Sequence, residues 1–288
     1  MKFENIQENL VKRWKNYEVE QVSTFSQSEL SEKNLELKNK QLNSRCFVLG
    51  NGPSLKNENL DCLKNEVVFC VNEFFKYEDY DKVMPDYYVI VDPYYFDVKY
   101  IKELNVIMKN MERLKYKEKK PVFIVPTFAR HLVKTFYKWE QWTKVYYIEN
   151  KLVLHKGYSK EYDITKPVPA ENSVVRMAIL LATYMGIKDI YLLGVEETGL
   201  LDNLGLYESR DYIRYAFDFE SDEEKNSIEQ AKNGVPLSVY LKNSIAESVK
   251  GYRRVFSYCE KRKVNLYNCT PASIIDSIPQ IQFTSLFH

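Results

Sequence analysis

The chain has 288 residues, 45% of them hydrophobic, with 41 lysines and arginines against 40 aspartates and glutamates. This describes a globular protein able to bury a full core, as one large domain or two small ones. A net charge of +1 excludes a duplex nucleic-acid binder driven by phosphate contacts, and no apolar run is long enough to span a bilayer.

Residues 1–44 read as a polar N-terminal extension. Ile6, Leu10, Val11 and Trp14 recur at helical spacing beside Lys12, Arg13 and Lys15. A short stripe of this kind suits an extension packed on the protein's own surface, with a membrane-surface or partner helix as the alternative. Residues 26–44, rich in Ser, Asn, Glu and Lys, read as a solvated helix or linker.

From residue 45 the pattern changes. Cys46-Phe47-Val48-Leu49 is a buried strand, followed by Gly50-Asn51-Gly52-Pro53-Ser54. The glycines permit a tight turn and close approach to the backbone. Pro53 and Ser54 suit a helix start, so free N–H groups and a helix dipole are expected to face one place, as in a phosphate or nucleotide corner. The spacing matches neither Walker A nor the dinucleotide fingerprint, and an ordinary βα turn is the plain alternative. Asn57 to Leu63 continues the first helix.

Further strands run from Val67 to Val71, ending at Asn72-Glu73, and from Tyr87 to Val91, ending at Asp92-Pro93. Asn51, Asn72 and Asp92 therefore stand at strand ends, where ligands bind in open parallel sheets. A helix is expected over 97–118, a strand at Val122–Val125, a helix from Phe128 to Trp139 and a short strand from Lys144 to Ile148. Asn172-Ser173 caps a helix from Val174 that Gly186 stops. Ile190 to Val195 is a central strand containing Gly194 and ending at Glu196-Glu197. Residues 198–238 lack periodicity and read as a lid carrying Arg210, Arg214 and Tyr215. A long helix from Val239 to Lys261, a strand over Val264–Asn268 and a closing helix over Pro271–Ile278 complete the chain. Strands alternating with helices predict an α/β class, with a Rossmann-like, mostly parallel sheet and one nucleotide-binding domain over 45–288.

Five cysteines form no CxxC pair and no zinc pattern. Their odd count, with no signal peptide at the start, suits a reducing cytoplasm. No metal site is expected.

Several of these stretches resemble the bacterial sialyltransferases of glycosyltransferase family 42. They are Gly50-Asn51-Gly52-Pro53-Ser54-Leu55-Lys56, Cys70-Val71-Asn72-Glu73-Phe74, Asp92-Pro93, Ser173 with its apolar helix, Ile190-Tyr191-Leu192-Leu193-Gly194-Val195-Glu196, Tyr215-Ala216-Phe217, and Leu266 to Ser273. The order is preserved over about residues 45–280. The chain also resembles the broader DUF115 group, in which Pro85-Asp86 to Asp92-Pro93 is a familiar pattern. The resemblance implies a GT-A variant fold, a CMP-activated sialic acid-like or Kdo-like donor, an inverting and metal-independent transfer to a glycan, and no resident cofactor. It also implies that Asn51, Asn72 and Ser173 hold CMP and that Tyr215 donates to the departing phosphate.

His131, His155 and His288 all lie away from the family's general-base position. A base is then sought among the strand-end carboxylates Asp92, Glu196 and Glu197, with Asp92 first. Arg210 and Arg214 are candidates for phosphate contact. Arg176 either points into the cleft or pairs with an acid. The nucleotide-binding set is Gly50, Asn51, Gly52, Pro53, Ser54, Asn72, Asn172, Ser173 and Gly194. The alternatives are a nucleotide-binding or interaction protein of the same fold without catalysis, and a transferase with another nucleotide donor. Peripheral membrane association at the inner face and homo-oligomerisation stay open.

Overall fold

The computed structural model describes residues 27–78, 80–97, 101–151, 161–171, 173–198 and 246–287. The apolar stripe from Ile6 to Trp14, His155, His288 and nearly all of the expected lid lie outside the described residues.

Seven strands form one wholly parallel sheet: β1 (Arg45–Leu49), β2 (Val67–Val71), β3 (Tyr87–Val89), β4 (Val122–Pro126), β5 (Val145–Ile148), β8 (Asp189–Leu193) and β9 (Asn265–Asn268). β6 (Asn150–Lys151) and β7 (Val168–Pro169) make a small separate parallel pair. The order in the large sheet is β5-β4-β3-β2-β1-β8-β9, with Leu49 beside Cys70 on one side and Leu193 on the other. This is the Rossmann-like α/β arrangement predicted from the alternating pattern.

The strands are apolar throughout because both faces are covered. Phe47, Leu49, Val68, Cys70 and Tyr88 enter one core, while Cys46, Val48, Phe69, Val71 and Tyr87 enter the other. Among the helices, α1 (Gln27–Leu35) packs on the β5 edge. Its Asn34 is buried and donates to the carbonyls of Tyr147 at 2.8 Å and Ile164 at 2.7 Å. This stretch is mostly exposed, as expected of a solvated helix, and a buried amide ties it to the sheet. The helix α2 (Ile101–Glu112) covers the first core with Leu104, Ile107 and Met111. On the opposite face lie α3 (Val174–Tyr184) and α4 (Glu247–Lys261). Gly186 ends α3's turn at φ +83, a conformation that suits glycine.

Three predicted helices are not continuous α-helices. The run after Gly52 forms two short 3-10 turns, Pro53–Asn57 and Leu60–Leu63, separated by an extended Glu58. The Asn59 side chain accepts the Asp61 N–H at 3.1 Å and restarts the second turn. The expected 128–139 helix breaks at Lys138, which is left-handed at φ 55. The break lets Trp139, 2% exposed, fold back and stack on Phe123 at 4.3 Å and Tyr137 at 4.5 Å. Aromatic pairs of this kind contribute about 0.5–1.5 kcal/mol each beyond burial. The closing segment from Pro271 bonds sideways instead of along a helix. Ser273 Oγ donates to the Val195 carbonyl at 2.8 Å, and the Ile274 N–H donates to the Glu196 carbonyl at 3.0 Å. Those bonds brace the end of β8. A 3-10 helix at Phe283–Phe287, with Phe283 buried, closes the described chain.

Among the described residues, no helix is long and apolar enough to cross a membrane.

Candidate functional site

From β1 the chain proceeds through β2 to β5 on one side, then returns to place β8 and β9 on the other. The switch point lies between β1 and β8, and a crevice opens there at the carboxyl ends. Gly50 and Gly194 close its floor. The Gly50 N–H donates to the Leu193 carbonyl at 2.8 Å, and the Gly52 N–H donates to the Gly194 carbonyl at 2.9 Å. A Cβ on Gly50 would stand 2.2 Å from the Gly194 oxygen, so only glycine lets the two strand ends approach this closely.

The corner therefore differs from the one expected. The Gly50 and Gly52 amides are spent within the protein, and the Ser54 N–H donates to Glu196 Oε1 at 2.7 Å. A protein carboxylate occupies the anion position that the turn was expected to offer to a phosphate. The element that follows is a five-residue 3-10 turn without an α-helical dipole. Ser54 is buried behind the crevice and caps nothing.

A cavity of about 890 Å³ fills the crevice, within the usual range for small-molecule sites. Gly50, Asn51, Gly52 and Pro53 border it from the β1 end, Asn72 from β2 and Asp92 from the loop after β3. Gly194, Glu196 and Glu197 border it from the β8 end, and Ser173 from the start of α3. Asp92 is exposed, at the mouth, and Glu196 is 6% exposed, at the floor. Asn172, Arg210, Arg214 and Tyr215 lie outside the described residues. Asn72 takes a left-handed backbone at φ 48, which asparagine tolerates, and Glu197 does so at φ 57, where a glutamate is strained.

Two side chains from α4 hold that strain in place. Tyr252 donates to Glu197 Oε1 at 2.6 Å, and Ser248 donates to Oε2 at 3.4 Å. Burial pushes the Tyr252 phenol well above its usual pKa, and the Glu197 charge adds to the effect, so it stays protonated. Ser173 stands at the N-cap of α3 without a capping bond, and its Oγ meets the Tyr252 hydroxyl at 3.2 Å. Beneath it Arg176 Nε donates to Glu171 at 2.7 Å, with both side chains 1% exposed. Its guanidinium also donates to the Ser248 carbonyl at 3.2 Å and lies over the Tyr252 ring at 5.3 Å. Of the two alternatives for Arg176, pairing with an acid is realised, and it is realised at the cavity wall.

Glu171, Ser248, Tyr252 and Asn150 also belong to the site and escaped the sequence reading. Asn150 was within reach of the strand-end rule, since it follows β5 as Asn72 follows β2. The other three carry no local signal, because their partners lie far away in the chain.

A parallel α/β protein with a polar cleft at its switch point belongs to a recognisable class of ligand-binding and transferase folds. A profile of the MptE-like family, described as 6-hydroxymethylpterin diphosphokinase MptE-like, matches residues 20–197, and the chain belongs to that family. It is a transferase-type family of the DUF115 kind that the sequence resembles. The match covers the cavity residues up to Glu197 and leaves out Thr198 and the two on α4, Ser248 and Tyr252. No curated protein matches the chain.

Proposed function

We propose that the protein is a glycosyltransferase that takes a sugar from a CMP-activated donor and passes it, with inversion, to a hydroxyl of a cell-surface glycan. The observation that carries this reading is that Asn51, Asn72, Asp92 and Ser173, singled out from four separate segments, border one cavity. In this reading Asp92, at the mouth where an acceptor enters, takes the proton from the acceptor hydroxyl. The acceptor oxygen bonds to the anomeric carbon, and the bond from that carbon to the CMP phosphate oxygen breaks. Tyr215, with Arg210 and Arg214, is assigned to the departing phosphate. Glu197 is a less suitable base, because both its oxygens already accept hydrogen bonds.

The second reading follows the family description: transfer of a diphosphoryl group from a nucleoside triphosphate to 6-hydroxymethylpterin. It sets a triphosphate against a wall whose described residues include Asp92, Glu171, Glu196 and Glu197, with one guanidinium already paired. A leaving CMP brings less negative charge to that wall, which favours the first reading. The reading implies no resident cofactor and a cytoplasmic protein at or near the inner face of the membrane.

The test is a donor panel. CMP-Neu5Ac and CMP-Kdo, each with and without glycan acceptors, are compared with ATP plus 6-hydroxymethylpterin, following release of CMP or AMP. CMP release that persists in EDTA is the expected result. AMP release alone supports the family-described reaction. CMP binding without turnover of any donor supports a binding protein.

A further inference from the structure

Four side chains around the cleft each hold a buried hydrogen-bond acceptor that has no partner among the described residues. Glu196 is 6% exposed, and while Oε1 takes the Ser54 N–H, the buried Oε2 has no partner among the described residues. The Asn51 amide is oriented by donation from Nδ2 to the Val71 carbonyl at 3.2 Å, which leaves its Oδ1 buried and unpartnered. The Oδ1 atoms of Asn72 and Asn150 are buried and unpartnered as well. All four residues border the same cavity.

Ser173 joins them by proton accounting. Tyr252 has one hydroxyl proton, and it points to Glu197, a carboxylate that can only accept. The contact between Ser173 and Tyr252 is therefore made by the serine's proton. What Ser173 has left for the cleft is acceptor capacity. The one guanidinium on the described wall, Arg176, is committed to Glu171 and the Ser248 carbonyl.

A buried acceptor without a donor costs about 1–3 kcal/mol. A ligand that brings O–H groups recovers that cost, whereas phosphate oxygens, being acceptors, add to it. We propose that this wall binds the vicinal hydroxyls of a neutral sugar ring, with Glu196 at the centre of the contact. Tyr252 is a positioning residue that holds Ser173 as an acceptor, and the phosphates of the ligand lie away from this wall. The proposal rests on the transferase reading for its class of ligand and names the part of it that the described wall selects. The hydroxyls come either from the ribose of the nucleotide or from the sugar acceptor.

Titration calorimetry on the full chain separates these sources. The probes are cytidine, 2′,3′-dideoxycytidine, methyl β-galactoside and pyrophosphate. With ribose as the source, dideoxycytidine binds about tenfold or more weaker than cytidine, the worth of a hydrogen bond to a charged group. With the acceptor as the source, the two nucleosides bind alike and the galactoside binding is the one that Glu196→Gln weakens. In either case Glu196→Gln lowers hydroxyl-dependent affinity and leaves pyrophosphate binding unchanged. Asn150→Ala gives the same pattern more mildly and serves if Glu196→Gln does not fold. Tyr252→Phe frees the Ser173 proton and shifts preference from cytidine toward pyrophosphate, whereas a purely structural loss weakens both alike. Hydroxyl-independent binding in wild type and variants, or no binding of cytidine and galactoside at millimolar concentration, overturns the proposal. Donor turnover is a separate measurement, so the transferase reading can fail while the hydroxyl dependence stands, and the reverse.

Discussion

The Glu196 carboxylate accepts the Ser54 N–H at 2.7 Å and presses its second oxygen against Gly52, where a Cβ would stand only 1.6 Å away. One glycine and one carboxylate thus share the corner at the switch point. The carboxylate takes the Ser54 N–H that the turn was expected to offer to a phosphate.

Gly52→Ala forces that carboxylate off the Ser54 amide. Overpacking of this sort costs about 1–3 kcal/mol, so the thermal midpoint drops. Ligand affinity falls with it, because the Glu196 oxygen leaves its position. Unchanged melting and binding would show that the corner relaxes freely.

The Glu171–Arg176 pair stands almost wholly out of water. Arg176→Met removes the guanidinium from this buried pair and is expected to cost about 3–5 kcal/mol, read from urea unfolding. Pairing it with Glu171→Leu removes both charges and restores most of the loss. A double variant as unstable as the single one would show that packing against Tyr252, rather than charge pairing, makes Arg176 necessary.

Asp92→Asn keeps the shape of the cleft mouth and removes the proton acceptor. Turnover of a CMP-sugar donor is expected to fall by about 10²–10⁴, with CMP affinity little changed. A normal rate would pass the role of base to Glu196.

Cys46, Cys70, Cys259 and Cys269 are buried, and burial pushes the Cys259 and Cys269 thiols up to about 12. Cys62 is part-exposed, and burial raises its pKa too. Alkylation of the folded protein near pH 8 is expected to modify Cys62 first, as read by mass spectrometry of peptides. Early labelling of Cys259 or Cys269 would mean that the second core, or the β9 end, opens easily.

Burial alone would raise the Asp163 pKa, but hydrogen bonds from the Thr165 hydroxyl at 2.6 Å and its N–H at 3.1 Å, with Lys166 nearby, bring it below its usual value. A carboxylate lowered in the folded state contributes stability above its unfolded pKa of about 3.9, and loses it as pH falls through the folded value. Asp163→Asn should therefore separate from wild type at pH 7 in urea unfolding, and the gap should close below about pH 4. A gap that holds steady with pH would point to hydrogen-bond geometry instead of charge.

The sequence by itself determined the sheet. Runs such as Phe47-Val48-Leu49 and Val68-Phe69-Cys70-Val71 are apolar without alternation, and only a strand covered on both faces accommodates them. The strand-end rule also found Asn51, Asn72, Asp92 and Glu196, because a parallel sheet sends all its carboxyl ends to one side. Short-range rules failed where distant partners compete with helix formation. Pro271 to Ile278 carries no sign that Ser273 and Ile274 will bond to the end of β8. The stretch to Trp139 carries none that Phe123 will draw the indole back. The same limit applied at the site. That Glu196 takes the Ser54 N–H in the corner beside Gly52, and that Tyr252 sets the proton on Ser173, depends on groups separated by 142 and 79 positions being brought within hydrogen-bond distance. Hydrogen-bond polarity is a property of neighbours in space, and only the tertiary structure decides which neighbours those are.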